Sequence, residues 1–522
     1  MFEGPGSATR KHVVDSGFAL LFLAAPIVFG YAVLAPDRVG LRAAMPQSRQ
    51  VVGAAITPTP AALAPIPAAP IMMPSAIPTP VVTPVSKSGP LVPTRPSLVP
   101  PPMATPPPLA PEIPRVPWPA TVTGRVTDDD GRPLAGASIV LGGREHRTAE
   151  DGSFTLTPPL HASSLIAKLP GYRRVVAEPT QDKLQIVLKP QAIKAAYLTY
   201  FGVGDRGIRG RVLDLLARTE LNAVVIDVKG DRGWILYTTK IELAVSAGAQ
   251  GPGTLRQFDS LMAELKARDI YTIARIVTFK DNILARHRPD LAVIDAQTGK
   301  PWIDRENLAW VDPFREEVWD YNIAIGREAI ERGFDEVQFD YVRFPTDGRL
   351  AHARYAKAVN KQTRLPTIAA FLERARHEIG PTGAFVSADV FGYTAFNEND
   401  TDIGQRVEDL APHLDYFSPM VYPSGYHKGI PGYRNPVDNP YHVVHESVRL
   451  TRKRAAPHVV RVRPWLQDFR DYAFDRRIFG INEIRAQIKG SDDGGGTGWM
   501  LWNPRNDYTV AALRGKGTLA AR

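Results

Sequence analysis

From residue 194 onward, short apolar runs with β alternation are separated by longer segments whose apolar residues recur at helical spacing, and this alternation restricts the fold more than any other feature. The β-patterned runs fall at 195–201, 223–228, 271–279, 336–344, 385–391, 416–422, 462–469 and 498–502. Helical spacing fills 206–220, 255–268, 313–332, 365–379, 402–414 and 440–454. Eight strands alternating with helices over roughly 325 residues predict an α/β fold, a (β/α)8 TIM barrel over residues 194–522. The rival is a doubly wound open sheet. It usually has fewer strands, and no Gly-rich phosphate loop follows the first run.

A barrel brings the C-terminal ends of its strands to one mouth, however far apart they lie in sequence. The stretch GFDEVQFDYVRFP, residues 333–345, carries Asp340 at such an end, one face from Phe339 and in line with Gln338. The second run ends in Asp227 and the fifth in Asp389, which shares its face with Ser387. Lys229 is close enough to Asp227 to pair with it. Tyr422 closes the sixth run, Gln467 and Asp468 the seventh, and Asn503 follows the eighth. Paired carboxylates beside aromatic walls suit glycoside hydrolysis, in which one protonates the leaving oxygen and the other attacks the anomeric carbon or activates water. Asp340 is accordingly the candidate nucleophile or base, and Asp389 the candidate acid. Asp227, Lys229, Gln338, Tyr341, Arg343, Tyr422, Trp465, Gln467, Trp502 and Asn503 are candidates for binding substrate. The three carboxylates could also hold a hard cation, but the histidines lack ligand spacing at strand ends, so neither a metal nor a cofactor is expected.

The N-terminal third is different in kind. Residues 16–35 are uncharged and strongly apolar, about the ~20 residues that span a bilayer as a helix, and Arg10 and Lys11 precede them. An uncleaved anchor is expected there, with 1–15 cytoplasmic and the bulk of the chain periplasmic or extracellular; a cleaved signal peptide is the competing reading. Many of the 48 prolines crowd into the following stretch, so 36–119 reads as a linker that cannot bury a core. Residues 120–190 return to short β runs split by turn signals such as Asp130-Gly131 and Asp151-Gly152, which predicts a small β-sandwich. The net charge of +9 is dispersed among acidic residues, with no basic run to bind nucleic acid, and the absence of cysteine excludes disulfides and thiolate catalysis.

Two resemblances sharpen these expectations. GRVTDDDGRPLAGASIVL, followed by TAEDGSFTL and LPGYRRV, resembles the carboxypeptidase regulatory-like domain, a prealbumin-type sandwich that implies a spacer or accessory module. LNAVVIDVKGDRG, YTIARIVTFKD, GFDEVQFDYVRFP, VSADVFGY, DYFSPMVYPSGY and GWMLWNP resemble a bacterial family of glycoside hydrolase domains classed beside the α-amylase-like barrels. That resemblance implies a TIM barrel with a catalytic Asp on the fourth strand, matching Asp340. α-Amylase-type enzymes place an Arg two residues before the nucleophile and a Glu acid on the fifth strand; here Gln338 and Asp389 stand there. In the run that chitinase-type barrels carry on the fourth strand, Val342 stands where the proton-donating Glu would be. The expectation is therefore a membrane-anchored glycoside hydrolase acting on a polysaccharide. The alternative is a non-catalytic glycan-binding or envelope scaffold protein.

Overall fold

The computed structural model describes residues 118–159, 164–178, 183–253 and 255–516. The expected anchor at 16–35, and the linker up to residue 117, lie outside them. Among the described residues, no helix is long and apolar enough to cross a membrane.

The first described part is a sandwich of two small sheets. One has the strand order Ser153–Leu156, Val122–Thr127, Lys183–Val187, and the other Arg144–Arg147, Ser138–Leu141, Leu165–Lys168, Val175–Ala177. Alternating residues such as Val122, Phe154, Ile139 and Leu165 meet between the sheets in one apolar core. Gly131 and Gly152 adopt φ of +80° and +76° in their turns, the left-handed backbone that the Asp-Gly pairs announce.

The remainder is a closed parallel barrel. Its strands are Ile193–Leu198, Ala223–Lys229, Tyr271–Val277, Glu336–Asp340, Phe385–Phe391, Tyr416–Met420, a seventh split into Arg461–Val462 and Trp465–Gln467, and Gly498–Trp502. Each pairs in parallel with the next, and the eighth pairs with the first. Helices including Arg206–Arg218, Glu316–Glu331, Lys361–Ile379 and Pro440–Ala455 bury one apolar face each on the outside of the sheet.

Two expectations need correcting. The strand expected over 336–344 stops at Asp340, because Tyr341 takes φ +49° and turns the chain out of the sheet. The helix expected over 402–414 shrinks to Val407–Leu410 and a 3-10 turn at Ala411–His413, since Thr401, Asp402 and Gly404 are left-handed and Pro412 interrupts the rest.

The sandwich packs on the end of the barrel opposite the mouth. Lys168, wholly buried, lies 3.7 Å from Asp415 and donates a hydrogen bond to the Ala384 carbonyl. Arg174 reaches Asp335 at 2.9 Å, and Arg376 clamps Glu145 through two bonds of 2.7 and 2.6 Å. Asp335, Ala384 and Asp415 each immediately precede a barrel strand, so these contacts fix the N-terminal end of the barrel and leave the C-terminal end open.

Candidate active site

The register of the first strands assembles the site. Arg275 on the third strand lies level with Asp227 on the second and Gln338 on the fourth. Its long side chain rises towards the mouth, where Nη1 donates to Asp227 at 2.5 Å and Nε and Nη2 donate to Asp340 Oδ2 at 3.0 and 2.5 Å. Burial opposes the charge, yet Asp227 and Asp340 overcome it and hold the guanidinium well above its ordinary pKa. The Tyr197 hydroxyl donates to the other oxygen of Asp227, and the Tyr341 amide donates to Asp340 Oδ1 at 2.5 Å. Tyr341 itself takes φ +49°, where the chain leaves the strand beside Asp340. A non-glycine residue held at positive φ costs of order 1–3 kcal/mol, and such strain clusters at functional sites.

Asp389 on the fifth strand is in a different position. Oδ1 accepts from the Trp465 indole at 2.7 Å, while Oδ2 has no hydrogen-bond partner and lies 3.9 Å from Arg275 Nε. Burial, followed by the charge of Asp340, pushes this carboxyl well above the usual range, against the weaker pull of Arg275 and Trp465. The site thus pairs a carboxylate that accepts from several donors with a carboxyl group whose environment favours its protonated form. Arg275 also occupies the space among Asp227, Asp340 and Asp389 that a hard cation would need. Among the described residues, no group of metal-ligating side chains is arranged to hold an ion.

Two connected chambers open above these groups. The inner one, about 160 Å³, is lined by Arg275, Asp340, Asp389 and Trp465, and the outer one, about 270 Å³, by Lys280, Trp310, Tyr393 and Phe469 among others. Tyr341, Arg343, Tyr422 and Trp502 line both. Trp502 stacks on Tyr197 with centroids 3.9 Å apart, and Tyr422 meets Phe469 edge-on at 5.4 Å, so the walls are flat and rigid.

Five of the sequence candidates lie elsewhere. A register slip at Arg275–Ile276 leaves Val228 bulged and turns Lys229 away from the mouth. Lys229 is wholly buried in an ion pair with Asp281 at 2.7 Å, and not with Asp227. Gln338 lies a layer below Asp340, donating to Ser418 at 3.3 Å. Gln467 is held by Ser424 and Gln487, and Asn503 donates to the carbonyls of Asp468 and Asp507, so both brace loops. Asp227 borders neither chamber and is paired with Arg275 instead. Sequence reasoning passed over Arg275 itself, although a lone charge in the apolar run YTIARIV is a signal, because a buried guanidinium demands carboxylate partners. Lys280, which bridges Asp304 at 3.0 Å and Glu306 at 2.7 Å on the outer wall, was also passed over.

Comparison with known proteins locates the chain among families. The family model described as "Putative glycosyl hydrolase domain" matches residues 195–508, and that of the carboxypeptidase regulatory-like domain matches 121–188. No curated protein matches the chain. Among solved structures, a hypothetical protein from Ruminiclostridium thermocellum ATCC 27405 is 36% identical over 37% of this chain and 97% of its own, with a TM-score of 0.33. The glycoside hydrolase domain of PgaB (BpsB) from Bordetella bronchiseptica is 12% identical over 60% of this chain and 94% of its own, with a TM-score of 0.43. The spore cortex-lytic enzyme SleL of Bacillus megaterium QM B1551 is 11% identical over 65% and 75% of the two chains, with a TM-score of 0.38. With more than half of its length matched, the chain belongs to this glycosyl hydrolase domain family and carries a carboxypeptidase regulatory-like domain ahead of the barrel.

Proposed function

We propose that the barrel hydrolyses a polysaccharide with retention of anomeric configuration, using Asp340 as nucleophile and Asp389 as acid and then base. One observation carries this reading: Arg275 Nε lies 3.0 Å from Asp340 Oδ2 and 3.9 Å from Asp389 Oδ2. The two oxygens are therefore at most ~6.9 Å apart, the sum of those distances. Retaining enzymes hold their carboxyl groups about 5–5.5 Å apart and inverting ones about 6.5–9.5 Å apart, so this bound admits the retaining spacing and supports it over the wider inverting ones. In the first step Asp340 attacks the anomeric carbon while Asp389 gives its proton to the glycosidic oxygen, which leaves as an alcohol. In the second, Asp389 takes a proton from the water that attacks the same carbon, and the ester to Asp340 breaks. Arg275 holds Asp340 in line throughout, and the aromatic walls supply faces for the sugar rings.

The apolar run at 16–35 supports an anchor, which would place this activity outside the cytoplasm. The test is reducing-end release from a panel of bacterial and plant polysaccharides by the full chain and its Asp340→Asn variant, with proton NMR of the first product anomer. Release by wild type alone, with the substrate's anomer in the initial product, is expected. The opposite anomer would overturn double displacement, and equal release by both proteins would remove Asp340 from the chemistry.

A further inference from the structure

Arg275 and Arg463 show how this barrel treats a buried guanidinium. Each is held by carboxylates, Arg275 by Asp227 and Asp340, and Arg463 by Glu336. Arg343 is also buried, at 8% exposure, but it forms no ion pair with any carboxylate among the described residues. Nη1 donates to the Phe344 carbonyl at 3.1 Å and to Thr346 Oγ1 at 3.3 Å. The Nε–Nη2 edge has no acceptor among the described residues. This is the edge that grips a carboxylate through two parallel bonds.

The setting fixes this group in place. The guanidinium centre lies 5.2, 4.9 and 4.8 Å from the rings of Trp310, Tyr341 and Phe391, a packing that orients the plane while using none of its hydrogen-bond donors. Arg343 lines both chambers, three residues beyond Asp340. Burial pulls its pKa down against the charges of Asp340, Asp347 and Asp304, none of which it meets in an ion pair. The nearby acidic groups are already occupied or weakened. Lys280 bridges Asp304 and Glu306, and burial together with Asp304 pushes the Asp347 carboxyl up.

Resting on the hydrolase reading above, we infer that Arg343 is a specificity residue that binds a carboxylate carried by the sugar beside the scissile bond. The substrate is then an acidic glycan, its carboxylate belonging either to a hexuronic acid or to a lactyl ether on an amino sugar. An acidic ring supplies the missing counter-charge, and a neutral ring leaves the guanidinium edge desolvated and unpaired, which is the stronger form of discrimination.

The experiment compares each acidic glycan with the same polymer after its carboxyls have been reduced to alcohols, using the full chain. Uronic-acid polymers and lactyl-bearing polymers form separate arms, so the source of the carboxylate is read directly. A loss of about 10- to 100-fold in kcat/KM on carboxyl reduction is expected. In Arg343→Gln, the ratio between acidic and reduced substrate should collapse towards unity, and Arg343→Lys should restore part of it. Equal cleavage of acidic and reduced polymers by wild type would overturn the inference. So would an Arg343→Gln variant that loses equal activity on both, because that is the signature of a structural or electrostatic role beside Asp340. If no polymer is cleaved, the hydrolase reading fails, and calorimetric binding of acidic against reduced oligosaccharides to Asp340→Asn decides this one separately. Preference for the acidic form sustains it, and binding without preference, or no binding, sinks it.

Discussion

Asp340 and Asp389 are the same residue type at neighbouring strand ends, and their surroundings give them opposite roles in stability. Asp340 accepts two bonds from Arg275, so Asp340→Asn removes a charge from a buried network and should lower Tm. Asp389 is raised well above its ordinary pKa, and here the sign reverses. A carboxyl whose folded pKa exceeds its unfolded value contributes stability below the unfolded pKa and loses it as pH rises through the folded one. Near neutral pH it therefore costs stability, and an amide mimics its protonated form. Asp389→Asn should raise Tm at pH 7, with the gain vanishing towards pH 4, while kcat on a substrate with a poor leaving group falls about 10²–10⁴-fold. Thermal unfolding at the two pH values checks this; a lowered Tm at pH 7 would mean that the Asp389 carboxylate is a structural anchor.

At the scale of elements, what could be read from sequence was whatever depends on local pattern. The apolar runs at 223–228, 385–391 and 498–502 match observed strands to within a residue, because a strand buried on both faces is apolar throughout and its neighbours are polar. The ends of strands were less legible where a side chain or a tertiary contact decides them. Tyr341 has high β propensity, yet it takes φ +49° and the strand ends at Asp340. Lys229 was read as a partner of Asp227 because the two are near in sequence, and a single bulged residue sends it to Asp281 instead. The helix Lys361–Ile379 offers a clean check on local pattern. Asn360 accepts from the Gln362 amide at 2.9 Å and Thr363 Oγ1 accepts from the Asn360 amide at 3.0 Å, closing a capping box at the helix start. Asn360→Ala should cost about 0.5–2 kcal/mol in denaturant unfolding. Activity at saturating substrate should be unchanged, since the cap is exposed and borders neither chamber.

For the molecule as a whole, the sandwich is part of the barrel's foundation, since it fixes the chain just before the fourth, fifth and sixth strands, and those strands carry Asp340, Asp389 and, just past the sixth, Tyr422. Lys168 is the centre of that contact. Burial outweighs the attraction of Asp415 and Glu145 and brings its pKa down to about 8 from the ordinary 10.5. Between these two values the unfolded chain binds a proton that the folded chain has released, so stability rises with pH across that window, and below it the folded state bears the cost of a buried ammonium. Lys168→Met retains the bulk of the stem and removes the titration. Tyrosines and other lysines titrate in the same range, so the informative quantity is the difference between wild type and variant in urea unfolding at pH 7.5, 9 and 10. That difference should shrink or change sign in favour of wild type as pH rises, because the wild-type lysine becomes neutral in the folded state while the methionine does not change. Both proteins should unfold in one transition if the sandwich and the barrel are coupled as their contacts indicate. A difference that stays constant with pH would show that Lys168 keeps its proton in the folded state, and separate transitions would show a barrel that stands without its foundation.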